Sequence, residues 1–279
     1  MFSVNPFAEL SGTISPVIMQ WYVVIMAIFV AAGTLFDIIH KGSARYFFEN
    51  WRNSKAQAKK EVGGGEAIGV AINTVAHDVL TSGEFCNQKR RIAHLLTMYG
   101  FILHLVMTAI MVFGYTGGAA TPAYMAQLWY LGAAMVCVGG YWFWFFIRVD
   151  VAAEGNPWNR IVRADLFILS LLASCTLAIL WGLAQSSGSP GSMIMLGLYL
   201  IATTVLFGGV PWSKFSHMFF KPAAAFEKRM SVANETRNNL PKPADRTSAE
   251  DRDRHSMELL KDAPLDMGLG IKREQPRHY

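Results

Sequence analysis

Charge is scarce in this chain. Asp, Glu, Lys and Arg make up 16% of its 279 residues, well below the roughly 25% of an ordinary soluble domain. No Lys or Arg precedes Lys41, whereas a removable signal sequence carries basic residues ahead of its apolar stretch. The first apolar run is therefore expected to stay in the protein as a helix. Cysteine is equally sparse: Cys86, Cys137 and Cys175 make no disulfide framework, and no Cys-x-x-Cys occurs. That argues against an iron–sulfur cluster or zinc site held by this chain.

What the chain has in quantity is apolar sequence, 52% of residues, gathered into long runs. Five qualify as spans of a hydrocarbon core about 30 Å thick: Val17–Ile39, Ile92–Gly114, Gln127–Ile147, Val162–Leu183 and Met193–Lys214. A run of this length must satisfy its backbone internally, which predicts helices, not the short alternating strands of a barrel. The predicted fold is all-α: a polytopic membrane protein with five transmembrane helices. Basic residues orient it, because Lys and Arg stay with cytoplasmic loops. With the amino terminus on the periplasmic side, nine Lys or Arg fall in 41–91, three in 148–163 and thirteen from Lys214 onward, which is all 25 of them. The outer segments Tyr115–Ala126 and Ala184–Ser192 hold none. The carboxyl terminus is then cytoplasmic, and the setting is a bacterial cytoplasmic membrane. The net charge of +5 needs no nucleic acid to explain it.

The chain divides into a membrane domain over 1–220 and a polar cytoplasmic tail over 221–279. Within the first, cytoplasmic segment 41–91 is too long for a turn. After Gly63-Gly64-Gly65, apolar residues from Ala67 to Leu80 recur at near-helical spacing. They predict an amphipathic helix over 67–80, lying at the membrane surface or against a partner. Aromatic clusters at Tyr115, Tyr124, Trp129 and Tyr130, and again at Tyr141–Phe146, suit the two interfacial belts and packing. The tail is too polar to fold alone; it reads as a solvated terminus or a docking segment.

Seven histidines occur. His255 and His278 lie in the tail, His77 on the polar edge of the surface helix, and His40 at the inner end of the first run. The other three stand out. His94 is near the inner start of the second run, His104 is ten residues along the same helix, and His217 follows the inner end of the fifth. Ionisable groups at membrane depth are costly and are functional candidates by default. Neutral imidazole is a usual axial ligand of haem iron, and facing helices can clamp one haem between two histidines. The second helix rises from His94 while the fifth descends to His217, so these two end at one face and suit an axial pair. His104 lies roughly 15 Å further out. Spacing alone also allows these histidines to hydrogen-bond between helices.

The sequence Arg90-Arg91-Ile92-Ala93-His94-Leu95-Leu96-Thr97-Met98-Tyr99-Gly100-Phe101, followed by His104, resembles the second helix of the respiratory nitrate reductase gamma-type cytochromes. It is similar above all to the membrane half of the QmoC-like subunits. Pro211-Trp212-Ser213-Lys214-Phe215-Ser216-His217 resembles that family's closing motif. The resemblance covers roughly residues 20 to 222. It implies two b haems between helices two and five, one on His94 and His217, the other on His104 and a histidine 18 residues before the closing one. Here that position is Tyr199, so one haem b is implied and the ligand set of the second departs from the family. Lacking the iron–sulfur domain of the QmoC-like chains, the sequence is similar to the AprM-type membrane anchors of adenylylsulfate reductase. The resemblance then implies cytoplasmic flavin and iron–sulfur reductase subunits as partners, quinone as substrate, and electron transfer between them, with no catalytic residue on this chain. Quinone is expected near His104, Tyr115, Tyr130 and Tyr199.

Three other functions compete. A sister cytochrome would serve nitrate, sulfite or heterodisulfide chemistry. A haem-free anchor would only tether a soluble enzyme. A transporter is the third class, but the sequence shows neither inverted repeats nor broken helices with polar midplane residues.

Overall fold

The computed structural model describes residues 2–40, 42–85, 87–116, 120–150, 155–238, 240, 247–248 and 250. Among them every regular element is helical. A short helix α1 (Pro6–Leu10) leads into α2 (Pro16–His40), whose Pro16 takes the first helical position, where its missing N–H costs nothing. A polar helix α3 (Ser43–Ala56) and a surface helix α4 (Gly64–Asn73) follow. The second widens into π-type turns over Thr74–Leu80. Next come α5 (Gln88–Gly114), α6 (Ala123–Trp142, continued by wide turns to Ile147), α7 (Leu166–Ser186), α8 (Ser192–Gly208) and α9 (His217–Ala233).

Among the described residues four helices are long and apolar enough to cross a membrane: Pro16–His40, Gln88–Gly114, Ala123–Ile147 and Arg163–Ser186. They match the first four apolar runs. The fifth run differs. Its helix stops at Gly208 after 17 residues, and Gly209, a 3-10 turn over Val210–Trp212 and Pro211 break it before Lys214. Three further helices were not anticipated, the short α1 among them. Helix α3 is polar overall, and α9 continues through the expected boundary at 220/221 to Ala233. Residues 251–279, with His255 and His278, and Cys86 lie outside the described residues.

The bundle is assembled from two close pairs, α5 with α6 and α7 with α8, joined through α6 and α7. Lipid removes the hydrophobic drive between helices, so close backbone approach and buried polar contacts take over. A Cβ on Gly132 would meet the His104 backbone nitrogen at 2.6 Å, and one on Gly100 would meet the Gly132 oxygen at 2.7 Å. Only glycine lets α5 and α6 come this near. Helices α7 and α8 are tied by the Ser174 and Thr203 hydroxyls, 2.8 Å apart and buried. Large side chains of α2, among them Ile18, Trp21, Ile28 and Phe36, remain exposed on its outer side, as lipid-facing side chains are.

The two ends of the bundle differ. At one, Asn5 donates to the Tyr115 carbonyl and the Thr121 hydroxyl, drawing α1 onto the α5–α6 turn. At the other, α3, α4 and the π-type turns after it pack around α9. There Trp51 stacks on Phe226 at 5.7 Å, and Asn234 donates to the Ser54 hydroxyl at 2.9 Å. The loop after α6 closes around buried Arg148, which pairs with Asp165 at 2.6 Å and lies over the Trp144 ring.

Candidate functional site

Helix α5 carries two of the three histidines of interest and starts at Asn87, whose side chain accepts from the Lys89 and Arg90 backbone N–H groups. His94 lies two turns past this cap and is half-buried. Its Nδ1 is 3.0 Å from the Ser82 hydroxyl, and its ring rests 4.9 Å from that of Phe85. Ser82 is itself buried and held at φ 50. His217, at the start of α9, gives its Nδ1 proton to the Lys214 carbonyl and has Phe167 against its ring at 5.8 Å. Burial, and after it the nearby charges of Lys221 and Lys214, hold its imidazole below the ordinary range, against the opposing carbonyl bond. His94 and His217 share Lys221 as a charged neighbour. Lys221 itself lies over Phe85 and reaches Glu84 at 3.3 Å.

His104 stands deeper and is buried. Its Nδ1 donates to the Trp129 carbonyl at 3.1 Å and its ring lies 4.8 Å from the Trp129 ring. Its Nε2 is buried with no hydrogen-bond partner among the described residues. A carbonyl only accepts, so at His104 and His217 the proton must sit on Nδ1, leaving the Nε2 lone pair available. The Ser82 hydroxyl can also accept, which makes the same tautomer accessible to His94. This is the pattern of ligating histidines, whose second nitrogen is tied down by a neighbouring oxygen.

Between α2, α5, α7 and α8 runs a cavity of about 410 Å³, within the range of small-molecule sites. Helices α5 and α8 face each other across it without extensive packing among the described residues. Its walls are almost wholly apolar. The polar exceptions are His104, Thr108, Tyr199, Thr203, Ser174 and Tyr22. Tyr199 is buried, stacks on Trp181 at 5.7 Å, and brings its hydroxyl beside those of Thr108 and Thr203. The cavity therefore gathers His104 and Tyr199, but not His94 or His217, although Phe215, Met218 and Phe219 beside His217 in sequence line it. Nor does it include Tyr115 or Tyr130. The Tyr130 side chain is buried, with its hydroxyl against Gly182.

The remaining histidines have local partners. His77 contacts Asp78 at 2.8 Å, and His40 stacks on Phe36 at the exposed end of α2. Among the described residues no group of three or more His, Cys, Asp or Glu could cage a metal ion. Two residues around these histidines were not singled out from the sequence. Ser82 gave no signal, because its meeting with His94 depends on the turn between α4 and α5. Asp37 did give one, as the single charged residue inside the first apolar run.

No family model, no curated protein and no solved structure matches this chain.

Proposed function

We propose that the chain is a haem b membrane subunit that links cytoplasmic flavin and iron–sulfur reductase subunits, of the adenylylsulfate reductase type, to the quinone pool. The observation that carries this reading is the shared state of three histidines. Each has Nδ1 against a nearby oxygen, and two of them, brought from distant parts of the chain, lie at the same end of the bundle with Lys221 as a common neighbour. The donor set fits an axial pair on His94 and His217. In this reading Ser82 and the Lys214 carbonyl orient the two rings, while Phe85 and Phe167 shield them from water. Haem b, when bound, supplies one-electron transfer; the chain supplies ligands, depth and a dry setting. His104 and Tyr199 would bind the head of a quinone within the apolar cavity.

Five crossings complete the proposal. Helix α8, 17 residues long, spans roughly 25 Å at 1.5 Å per residue and reaches the short limit for a crossing. The end formed by α3, α4 and α9 carries the basic loops and would face the cytoplasm of a bacterium. There it would receive an acidic surface of the reductase by charge complementarity.

The test is a reduced-minus-oxidised optical spectrum of the purified protein with haem counted per chain. One b-type haem, lost in His94→Ala and in His217→Ala, is the expected result. Two haems would mean that His104 takes part in a second ligand pair. None, in protein made with ample haem, would overturn the reading and leave a membrane anchor.

A further inference from the structure

A buried carboxylate in an apolar helix calls for a physical reason, because ionisable groups at membrane depth are costly. Asp37 is 2% exposed, one turn before the inner end of α2. Its Oδ2 accepts from the Ser216 hydroxyl at 2.6 Å, and Ser216 is 4% exposed. Ser216 occupies the cap position of α9, where a serine hydroxyl normally accepts from a backbone N–H of the first turn. Here it makes no such bond; it is turned towards α2 instead.

Four residues before Asp37, on the same face of α2, lies Gly33. A Cβ there would meet the Val210 Cβ at 2.9 Å and Pro211 Cδ at 3.2 Å. Helix α2 therefore holds the 210–217 turn at two points one turn apart: close contact at Gly33 and a hydrogen bond at Asp37. Between them the turn is braced internally. The Phe215 N–H donates to the Ser213 hydroxyl at 3.2 Å, and the His217 N–H donates to the Lys214 carbonyl at 3.2 Å. The His217 ring is tied to that same carbonyl. A turn stiff within itself and anchored at two points sets the ring's position.

We propose that Asp37, acting through Ser216, is the positioning residue for His217 and fixes the direction in which its Nε2 lone pair points. The inference rests on the haem reading above and adds to it a residue on a different helix from either ligand. Asp37→Ala and Ser216→Ala remove the bond. Asp37→Asn keeps an acceptor and Ser216→Thr keeps a donor.

The experiment measures haem per chain, carbon monoxide binding to the reduced protein, and the low-spin ferric resonance spectrum. Iron held by two imidazoles has no free position for carbon monoxide. The wild type, Asp37→Asn and Ser216→Thr should therefore exclude it and share one resonance spectrum. Asp37→Ala and Ser216→Ala should retain haem, bind carbon monoxide in a sizeable fraction of molecules, and shift the spectrum. If the two alanine variants match the wild type, the positioning role is overturned while the haem reading stands. If all four variants lose haem alike, the contact is merely structural and the proposal again falls. A wild-type protein without haem overturns both.

Discussion

Arg229 grips Asp78 with both edges of its guanidinium: Nε meets Oδ2 at 2.6 Å and Nη2 meets Oδ1 at 2.8 Å. The bidentate fork pins the wide-turned end of the surface helix to α9, the helix that begins with His217. Paired, planar geometry of this kind is stronger than a point-charge contact, and lysine cannot reproduce it. The Asp78 side chain is 8% exposed and that of Arg229 31%, so solvent screens the link in part. Arg229→Lys should cost about 1–2 kcal/mol, read as a lower melting temperature in detergent and faster cleavage near residue 80.

The same link predicts a pH response. Arg229, and after it the hydrogen bond to His77, hold the Asp78 carboxyl below its ordinary range, despite burial, which acts the other way. A carboxylate with a depressed folded pKa contributes stability that is complete above the ordinary value of about 4 and fades as pH falls through the folded value. Acid stability curves of the wild type and Asp78→Asn should therefore run apart above pH 4 and converge below it. Parallel curves would assign the stabilisation elsewhere.

Gly132 and Gly69 should respond in opposite ways to the same substitution. An alanine at 132 presses on the His104 backbone at 2.6 Å, where no flexible side chain can yield, whereas nothing lies within 4 Å of a Cβ at 69. Gly132→Ala should destabilise the bundle by about 1–3 kcal/mol through overpacking. Gly69→Ala should be neutral or stabilise by up to about 1 kcal/mol through reduced backbone freedom. Thermal melts of the two variants in one detergent make the comparison.

Ser82→Ala removes the oxygen beside His94 Nδ1 and leaves the ring free to turn. Loss of such a supporting partner weakens metal binding by roughly 10–100-fold. Haem retention on dilution should fall by that order, with the helical content unchanged.

His104→Phe separates the deep site from the inner pair. On the function proposed above, oxidation of an added quinol should slow while the spectrum of the haem proposed at His94 and His217 persists. Loss of that spectrum would refute the division of roles between His104 and the His94–His217 pair.

The four long helices were legible because hydropathy reports length and apolarity directly, and their observed ends fall within a few residues of the runs. The fifth was read too far. Averaging across Val205–Lys214 hides the break at Gly209 and Pro211, where local backbone preference overrides an apolar composition. Helices α3 and α9 were hidden for a different reason: their sequences are polar, and what orders them is mutual contact, as in Trp51 on Phe226 and Asn234 on Ser54. The histidines at 94, 104 and 217 drew attention by being costly where they stand. Their oxygens could not be foreseen, because Ser82, Trp129 and Lys214 are ordinary residues until the chain is folded. The cavity likewise belongs to the pairing of helices, which no single segment encodes.

That cavity is lined in part by exposed residues. Ile18 on α2 and Leu105 on α5 both line it and are exposed, so on the membrane-spanning reading its side between α2 and α5 is where a ligand would enter from the hydrocarbon. A molecule reaching His104 by this route travels in two dimensions, from the bilayer and not from water. Its effective concentration is then a mole fraction among lipids. Diluting the protein with detergent or added lipid would weaken apparent binding even at a constant amount of ligand per litre.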